Sequence, residues 1–181
     1  MPEFLGRKIA NATFESITNQ TGVRTINLRH VSSGPPAQYW RFVVTLEPSR
    51  HDIPEASIGV FANVASYGRG EFDFPVPQPK IDDQMASRSA RGSALSTTLS
   101  LSDATIKAGR FVSFSGHNKV YIVVSYEGSS LEVYPALLKD VSGAVNLNPV
   151  MKAVTEGLIR MSQIGFFINP TYAVSESLSD V

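Results

Sequence analysis

The sequence predicts a mainly β protein, in which an N-terminal β-sandwich with one helix is followed by a small antiparallel β-barrel-like unit. Three observations lead to this prediction. Apolar and polar residues alternate over residues 38–48, one later segment changes to a helical period, and four short alternating segments separated by turn residues follow between residues 97 and 135. Alternation with period two is typical of a half-buried strand, whereas spacings of three and four residues are typical of an amphipathic helix.

The strongest strand signal is QYWRFVVTLEP, residues 38–48. Its large apolar residues fall on one face, with polar residues on the other: Trp40, Phe42, Val44 and Leu46. This pattern predicts the central strand of the N-terminal half. RTINLRHV, residues 24–31, alternates in the same way and predicts another half-buried strand.

The predicted helix begins near Pro54. Asp52 is a possible N-cap, and Pro54 and Glu55 are residue types favoured in a first helical turn. Four apolar residues follow at helical spacing, Ile58, Phe61, Ala62 and Ala65, before Gly68 or Gly70 ends the run. The segment therefore predicts one amphipathic helix of about three turns.

The next segment, GEFDFPVPQP (residues 70–79), alternates again and places Phe72, Phe74 and Val76 on one face. Its prolines cannot donate hydrogen bonds to a neighbouring strand, so this strand is expected at a sheet edge.

Residues 80–96 are polar, small and poorly periodic, and they predict a linker or long loop. Residues 97–140 predict the barrel-like unit, because TTLSLS, RFVSFS, KVYIVVSYE and SLEVYP are separated by turn signals. The residues expected to face its interior are Leu99, Leu101, Val112, Phe114, Val120, Ile122 and Val124.

Residues 145–181 are predicted to return to the sandwich formed by residues 1–79. VMKAVTEGLIRMSQ (residues 150–163) leaves helix and strand equally open, because a helix start at Asn148-Pro149 competes with Gly157 and several β-branched residues. The last segment, residues 164–177, predicts a strand interrupted at Asn169-Pro170.

The composition does not indicate a nucleic-acid or membrane partner. Sixteen basic and sixteen acidic residues give a formal net charge of zero, so no strong electrostatic attraction to nucleic acid is expected. The densest basic run, Arg88 to Arg91, is interpreted as a solvated loop. No apolar run approaches the roughly 18 residues of a membrane span, and the first residues do not match a signal peptide.

The residues that could carry out chemistry are few and scattered, and the sequence predicts no catalytic, cofactor-binding or metal site. Cysteine is absent, and the three histidines, His30, His51 and His117, stand in unrelated contexts without a metal-ligand spacing. Neither Gly-x-Ser-x-Gly nor a phosphate-binding loop occurs.

Two pairs of carboxylates remain, Glu71 with Asp73 and Asp82 with Asp83. The first pair shares one face of a strand, as acid–base partners could. Such pairs normally converge from different strands over a cleft, so we interpret it as the solvated face opposite Phe72 and Phe74.

The aromatic residues allow two interpretations. They could form a platform on which sugar rings stack, or they could pack within strands. Most of them lie in alternating segments, which favours packing: Tyr39, Trp40, Tyr67, Tyr121, Tyr126 and Tyr134.

The order of these segments resembles the distal tail proteins and related tail-hub proteins of tailed bacteriophages. The likeness covers residues 38–140, from RFVVTLEP through FPVPQP to TLSLSDATIKAGRFVSFSGHNKVYIVVSYEGSSLEVYPAL. The residues that match the family's barrel run are Ala108, Gly109, Phe111, Val112, Phe114, Val120, Tyr121, Val123, Leu131, Val133, Pro135 and Leu137. Arg110 departs from it, because an acidic residue often follows the glycine in the family.

The resemblance implies a non-enzymatic virion protein, assembled in the host cytoplasm, with no cofactor. Its copies would form a ring, expected to be a hexamer, that contacts the tail tube protein on one side and hub, fibre or tip proteins on the other. The alternatives are a carbohydrate- or receptor-binding β-domain of a virion, a tail-completion protein and, in another class, a cell-wall hydrolase.

Overall fold

The structure is a computed structural model of the 181-residue chain, and it describes residues 3–4, 7–19, 22–24, 30–32, 37–50, 71–81, 89–101 and 106–177. The regular secondary structure of these residues is β-strand, connected by turns and irregular segments. In chain order the strands are β1 (Glu3–Phe4), β2 (Arg7–Asn19), β3 (Gly22–Arg24), β4 (His30–Ser32), β5 (Ala37–Leu46), β6 (Ser49–Arg50), β7 (Phe72–Pro75), β8 (Ser89–Gly92), β9 (Thr98–Leu101), β10 (Phe111–Phe114), β11 (Val120–Glu127), β12 (Ser130–Tyr134), β13 (Val141–Asn146), β14 (Val150–Ile164) and β15 (Phe167–Glu176).

A seven-stranded antiparallel sheet unites the two ends of the chain. Its order is β1-β2-β5-β15-β14-β7, and β6 pairs with β15 beside the end of β5. The predicted central strand is confirmed, because β5 lies between β2 and β15 and buries Trp40, Phe42, Val44 and Leu46 on one face. The single strand predicted over residues 24–31 is wrong, because its two ends, Arg24 in β3 and His30 in β4, lie in separate strands that pair antiparallel.

The prolines of residues 75–79 act as predicted. β7 is the outermost strand on its side of the sheet and pairs only over Phe72–Pro75 with Val150–Ala153. Phe72 and Phe74 are buried while Asp73 is exposed. The Val76 N–H still donates to the Pro149 carbonyl at 3.1 Å, and Pro77, which follows it, has no N–H with which to continue the ladder.

The second unit is a closed six-stranded antiparallel barrel with the order β10-β11-β12-β9-β8-β13. It starts and ends outside the predicted range of residues 97–140, because β8 lies within the segment predicted as a linker and β13 follows residue 140. Ala90 is the buried residue of β8 and Gly92 ends the strand. Such small residues close the barrel without any hydrophobic periodicity, which explains why the sequence predicts a loop there.

The inward face predicted for β11 is wrong. Tyr121 and Val123 belong to the barrel core, whereas Val120 and Ile122 face the large sheet and Val124 is exposed. Both faces of β10 and of the first half of β11 are covered, one by the barrel interior and the other by the sheet. Since both faces are apolar, alternation alone could not select the inner one.

The segment that could have been helix or strand is strand β14. It pairs with β15 in a long hairpin, with a register shift between Thr155 and Ile159. The interruption predicted at Asn169-Pro170 is also wrong, since β15 continues through it. On the side opposite β14, β15 pairs with β6 up to Ile168 and with β5 from Thr171, so Pro170 falls at the gap between these two strands.

The face of the sheet that carries Trp40 and Phe42 is covered by the barrel, because Phe111 of β10 and Val120 of β11 belong to the core cluster of the sheet. The helix predicted from Pro54 lies outside the described residues. The described part of the chain contains no helix with the length and apolarity needed to cross a bilayer.

The close approach at Gly92 gives a test of the barrel. A Cβ at this position would lie 2.9 Å from Leu137 Cδ1 and 2.9 Å from Leu99 Cγ, both side chains of the barrel core. We expect Gly92→Ala to lower the free energy of unfolding by about 1–3 kcal/mol through overpacking. Urea denaturation measures this, with the exposed Ser93→Ala as a control; equal midpoints for the two variants would contradict the packing.

Candidate functional site

The barrel meets the sheet through an aromatic contact. Trp40 and Phe42 of β5 pack against Phe111 of β10, with ring centroids 5.2 and 5.6 Å away. The indole N–H of Trp40 donates a 2.8 Å hydrogen bond to the carbonyl of Val120. A buried indole needs such an acceptor, so this contact fixes the direction as well as the depth of packing.

A buried ion pair lies beside this contact. Lys119, in the turn before β11, contacts Glu176 at the end of β15, and both residues are almost fully buried. The Lys119 ammonium also donates to the carbonyl of Gln38 at 2.7 Å. Glu176 accepts hydrogen bonds from the backbone N–H of Val120 at 2.9 Å and of Trp40 at 3.2 Å. The pair therefore joins β5 and β15 of the sheet to β11 of the barrel.

Burial changes the proton affinity of both partners. It raises the pKa of Glu176 above its ordinary value, and it is opposed there by the charge and hydrogen bond of Lys119 and by the two backbone donors. It lowers the pKa of Lys119, and the charge of Glu176 acts against that change. Desolvation disfavours each charged form, and the opposite charge of the partner counteracts this penalty at both groups.

Side-chain amides make a second connection between the units. The Gln78 amide pairs with Phe111 like a neighbouring strand, accepting from its N–H at 2.9 Å and donating to its carbonyl at 2.9 Å. It also donates to the carbonyl of Leu147 at 2.8 Å. Asn148 makes the equivalent pair with the backbone of Ile81 at 3.0 and 2.9 Å. The amides of Gln78 and Asn148 therefore fix the two segments in which the chain passes between the sheet and the barrel.

Of the three histidines, the structure describes His117 and His30, which lie on different elements of the fold. His117 lies in the turn between β10 and β11, where its ring contacts the Tyr121 hydroxyl at 3.0 Å and the Asp140 carbonyl at 3.3 Å. His30 is in β4, and His51 lies outside the described residues. Within the described ranges, no group of three or more His, Asp or Glu side chains could hold a metal ion.

Glu71, directly before β7, and Asp73 within it are both exposed, as predicted. Asp73 forms an ion pair with Lys152 at 2.6 Å, and Glu71 bonds to the Ser177 hydroxyl. They border an open depression of about 550 Å³ that is also lined by Glu3. Each of these two carboxylates already has a protein partner, and Asp82 and Asp83 are outside the described residues.

The described aromatic residues do not form a single platform. Trp40 and Tyr121 are buried, and burial raises the pKa of the Tyr121 hydroxyl to about 12. Tyr134 is partly exposed, but its ring packs on Trp40 and its hydroxyl bonds to Ser16 at 3.2 Å. These contacts favour the packing interpretation for these three residues. Tyr67 lies outside the described residues.

One surface feature that the sequence does not reveal is the unpaired part of the outer edges of β2 and β14 among the described strands. β1 covers only Arg7 and Lys8 of β2, and β7 covers only Val150–Ala153 of β14. Among the described strands, none pairs with the remaining outer edge of either strand. Unpaired edges of this length are templates for another strand. The sequence carries little sign of them, because pairing partners are set by the fold.

The β14–β15 hairpin adds an apolar tip to the free edge of β14. Ile164 is 70% exposed and Phe166 is 76% exposed, and Phe167 beside them is half exposed. Gly165 between them has φ of 60°, a left-handed conformation that suits glycine in a tight turn. The signal for this tip was present in the sequence as IGFF, an apolar run at a turn.

Comparison with known proteins gives no family for this chain, because no family model and no curated protein matches it.

The ion pair predicts a strong response to removal of one partner. Lys119→Met leaves the buried Glu176 carboxylate without its cation, so we expect the free energy of unfolding to fall by about 3–5 kcal/mol. Lys152→Met is the matched control, because it breaks a largely exposed pair with Asp73 and is expected to cost about 1 kcal/mol or less. Urea denaturation compares the two; similar losses would show that Lys119 does not hold Glu176.

The pKa of Glu176 also predicts a pH dependence. Because the pKa is raised by folding, the folded protein binds this proton more tightly than the unfolded chain. Stability linked to Glu176 is therefore fully present below the ordinary carboxyl pKa of 4.5 and falls as the pH rises through the folded value. We expect the unfolding free energy of the wild type to fall relative to Glu176→Gln over this window; parallel curves would contradict the assignment.

Proposed function

We propose that this chain is a structural virion protein of a bacteriophage tail tip or baseplate. In this proposal its copies form a ring, a hexamer, that joins the tail tube to the hub, fibre or tip proteins. The N-terminal half is a β-sandwich with one helix, the protein is assembled in the host cytoplasm, and its role is geometric rather than catalytic.

The observation that carries the proposal is that β2 and β14 keep long outer edges with which no described strand pairs. A protein with two different complementary edges can join copies head to tail, and such contacts make a closed ring when the rotation between copies closes. A monomer with two long free edges would be exposed to unspecific pairing. Occupation of both edges by other copies removes that hazard.

The barrel supports the resemblance to the tail proteins. Most of the residues that match the family's barrel run lie on β10, β11 and β12, which pair with one another in this order. Gly109, at the start of the run, has φ of 82°, so a glycine is favoured at this turn. Arg110, the departure from the family pattern, directs its guanidinium to the Pro79 carbonyl. That contact joins the barrel turn to the segment after β7.

The joint between sheet and barrel also fits a scaffold. Aromatic packing, the Lys119–Glu176 pair and the amides of Gln78 and Asn148 fix the two units to each other. A ring component has to keep its axial and lateral surfaces at a constant angle. In this proposal, the polar side chains at the joint keep the two units at this angle and have no catalytic role.

The proposal predicts a defined assembly. The purified full-length chain is expected to form closed rings of uniform size in mass photometry and negative-stain electron microscopy, alone or with the tail tube protein added. In phage particles, an antibody against a tagged copy should mark the tail tip. A chain that stays monomeric with its tube and hub proteins, or a tag found elsewhere on the particle, would contradict it.

A further inference from the structure

We infer that the free edge of β14 in one copy pairs, antiparallel, with the free edge of β2 in the next, so that one sheet runs continuously across the subunit boundary. This inference rests on the proposed ring and adds to it the surface through which the copies join. The partner is a second copy of this chain.

The direction of the strands permits this pairing. β2 is antiparallel to β5, β5 to β15, and β15 to β14. Directions alternate across the sheet, so the next strand beyond β14 should run in the direction of β2. A neighbouring copy in the same orientation presents its β2 in this direction, and the antiparallel ladder continues without inversion.

The free lengths lie at opposite ends of the sheet. The strand registers show where β1 and β7 pair along the sheet. The residues of β2 that pair with β1 lie near the Leu46 end of β5, and the residues of β14 that pair with β7 lie near the Trp40 end. The free part of β14 is therefore the end toward its hairpin tip, and the free part of β2 is the end away from β1. β14 pairs regularly from Ile159 to Ile164, and β2 pairs regularly from Asn11 to Asn19.

Charge selects the pairing of unlike edges and its register. The regular part of β14 carries Arg160 as its charged residue, and the regular part of β2 carries Glu15. Arg41 contacts both Glu15 at 3.2 Å and Glu156 at 2.6 Å, so one guanidinium serves two carboxylates and leaves an excess of negative charge there. Arg160 of a neighbouring copy opposite Glu15 would balance it. Pairing of β2 with β2, or β14 with β14, would bring like charges together instead.

The apolar residues near these edges fit the same contact. Phe14 is 50% exposed although it packs against Trp40, because no described strand lies beyond β2 at this point. The tip residues Ile164 and Phe166 extend the free edge of β14. A strand added to β2 covers the open side of Phe14 and gives the tip a surface on the adjacent copy.

A disulfide test follows directly, because the chain contains no cysteine. If Arg160 lies opposite Glu15, antiparallel pairing places Ser162 of β14 opposite Thr13 of β2. Both of these residues are exposed. Residues directly opposite in an antiparallel pair are close enough for a disulfide. We expect Thr13→Cys/Ser162→Cys to give, on mild oxidation, a ladder of linked copies up to the full ring on a non-reducing gel. Thr13→Cys/Ser142→Cys, with the second cysteine on an exposed position of the barrel, is the matched control and should give no ladder.

The outcomes separate this inference from the proposed function. Wild-type rings without a ladder in Thr13→Cys/Ser162→Cys would overturn the inference and leave the ring intact. Linked dimers from Thr13→Cys alone or Ser162→Cys alone would overturn it in favour of pairing between like edges. A monomeric wild type would overturn the proposed ring as well.

The hairpin tip gives a second, independent test. Ile164→Lys/Phe166→Lys changes only exposed side chains, so the urea midpoint of the monomer should not change while the rings are lost. Leu95→Lys is the control, since Leu95 is equally apolar and exposed but lies on the barrel; it should form rings like the wild type. Rings that persist in the tip variant would contradict the role of the tip.

Discussion

The packing of the barrel against the sheet determines how the two units of this protein are arranged. The Lys119–Glu176 pair sits at this joint, beside the aromatic contact of Trp40 with Phe111. Burying a pair of charges yields little net stability, since the desolvation of both ions offsets their attraction. Apolar burial supplies the stability, at about 1.5–3 kcal/mol for each large side chain. What the ion pair supplies is position, because either charge without its partner would be far too costly to bury.

This constraint explains the unusual burial of β10 and β11. A barrel strand normally has one apolar and one solvated face, but Phe111 and Val120 face the sheet while Val112 and Tyr121 face the barrel interior. These strands belong to two cores at once. The amides of Gln78 and Asn148 satisfy backbone groups where the chain passes between the cores. Sheet and barrel therefore form one mechanical unit, and β2 takes part in the joint through Phe14, whose ring centroid lies 5.1 Å from that of Phe111.

The outer edges of β2 and β14 form the surface on which the proposed contact between copies rests. His117, Asp73 and Tyr134 each contact a structural partner, respectively Asp140, Lys152 and Ser16. β2 and β14, in contrast, keep long outer edges with which no described strand pairs. A surface of this kind suits repeated contact between copies, and it is the physical basis of the ring and of the continuous sheet proposed above.

The mainly β character, the central strand at Trp40–Leu46 and the edge position of Phe72–Pro75 were predictable from the residues alone, because they follow from local alternation and from the missing N–H of proline. The exposure of Glu71 and Asp73 was predictable in the same way. Three features required the folded chain: β8 closes the barrel, Tyr121 rather than Val120 faces the barrel interior, and residues 150–164 are strand. In each case the local pattern was compatible with two arrangements. The unpaired edges of β2 and β14 could not be predicted from the sequence either, because the pairing of their backbone groups depends on strands that are distant in sequence. Long-range pairing, and not periodicity, made those choices.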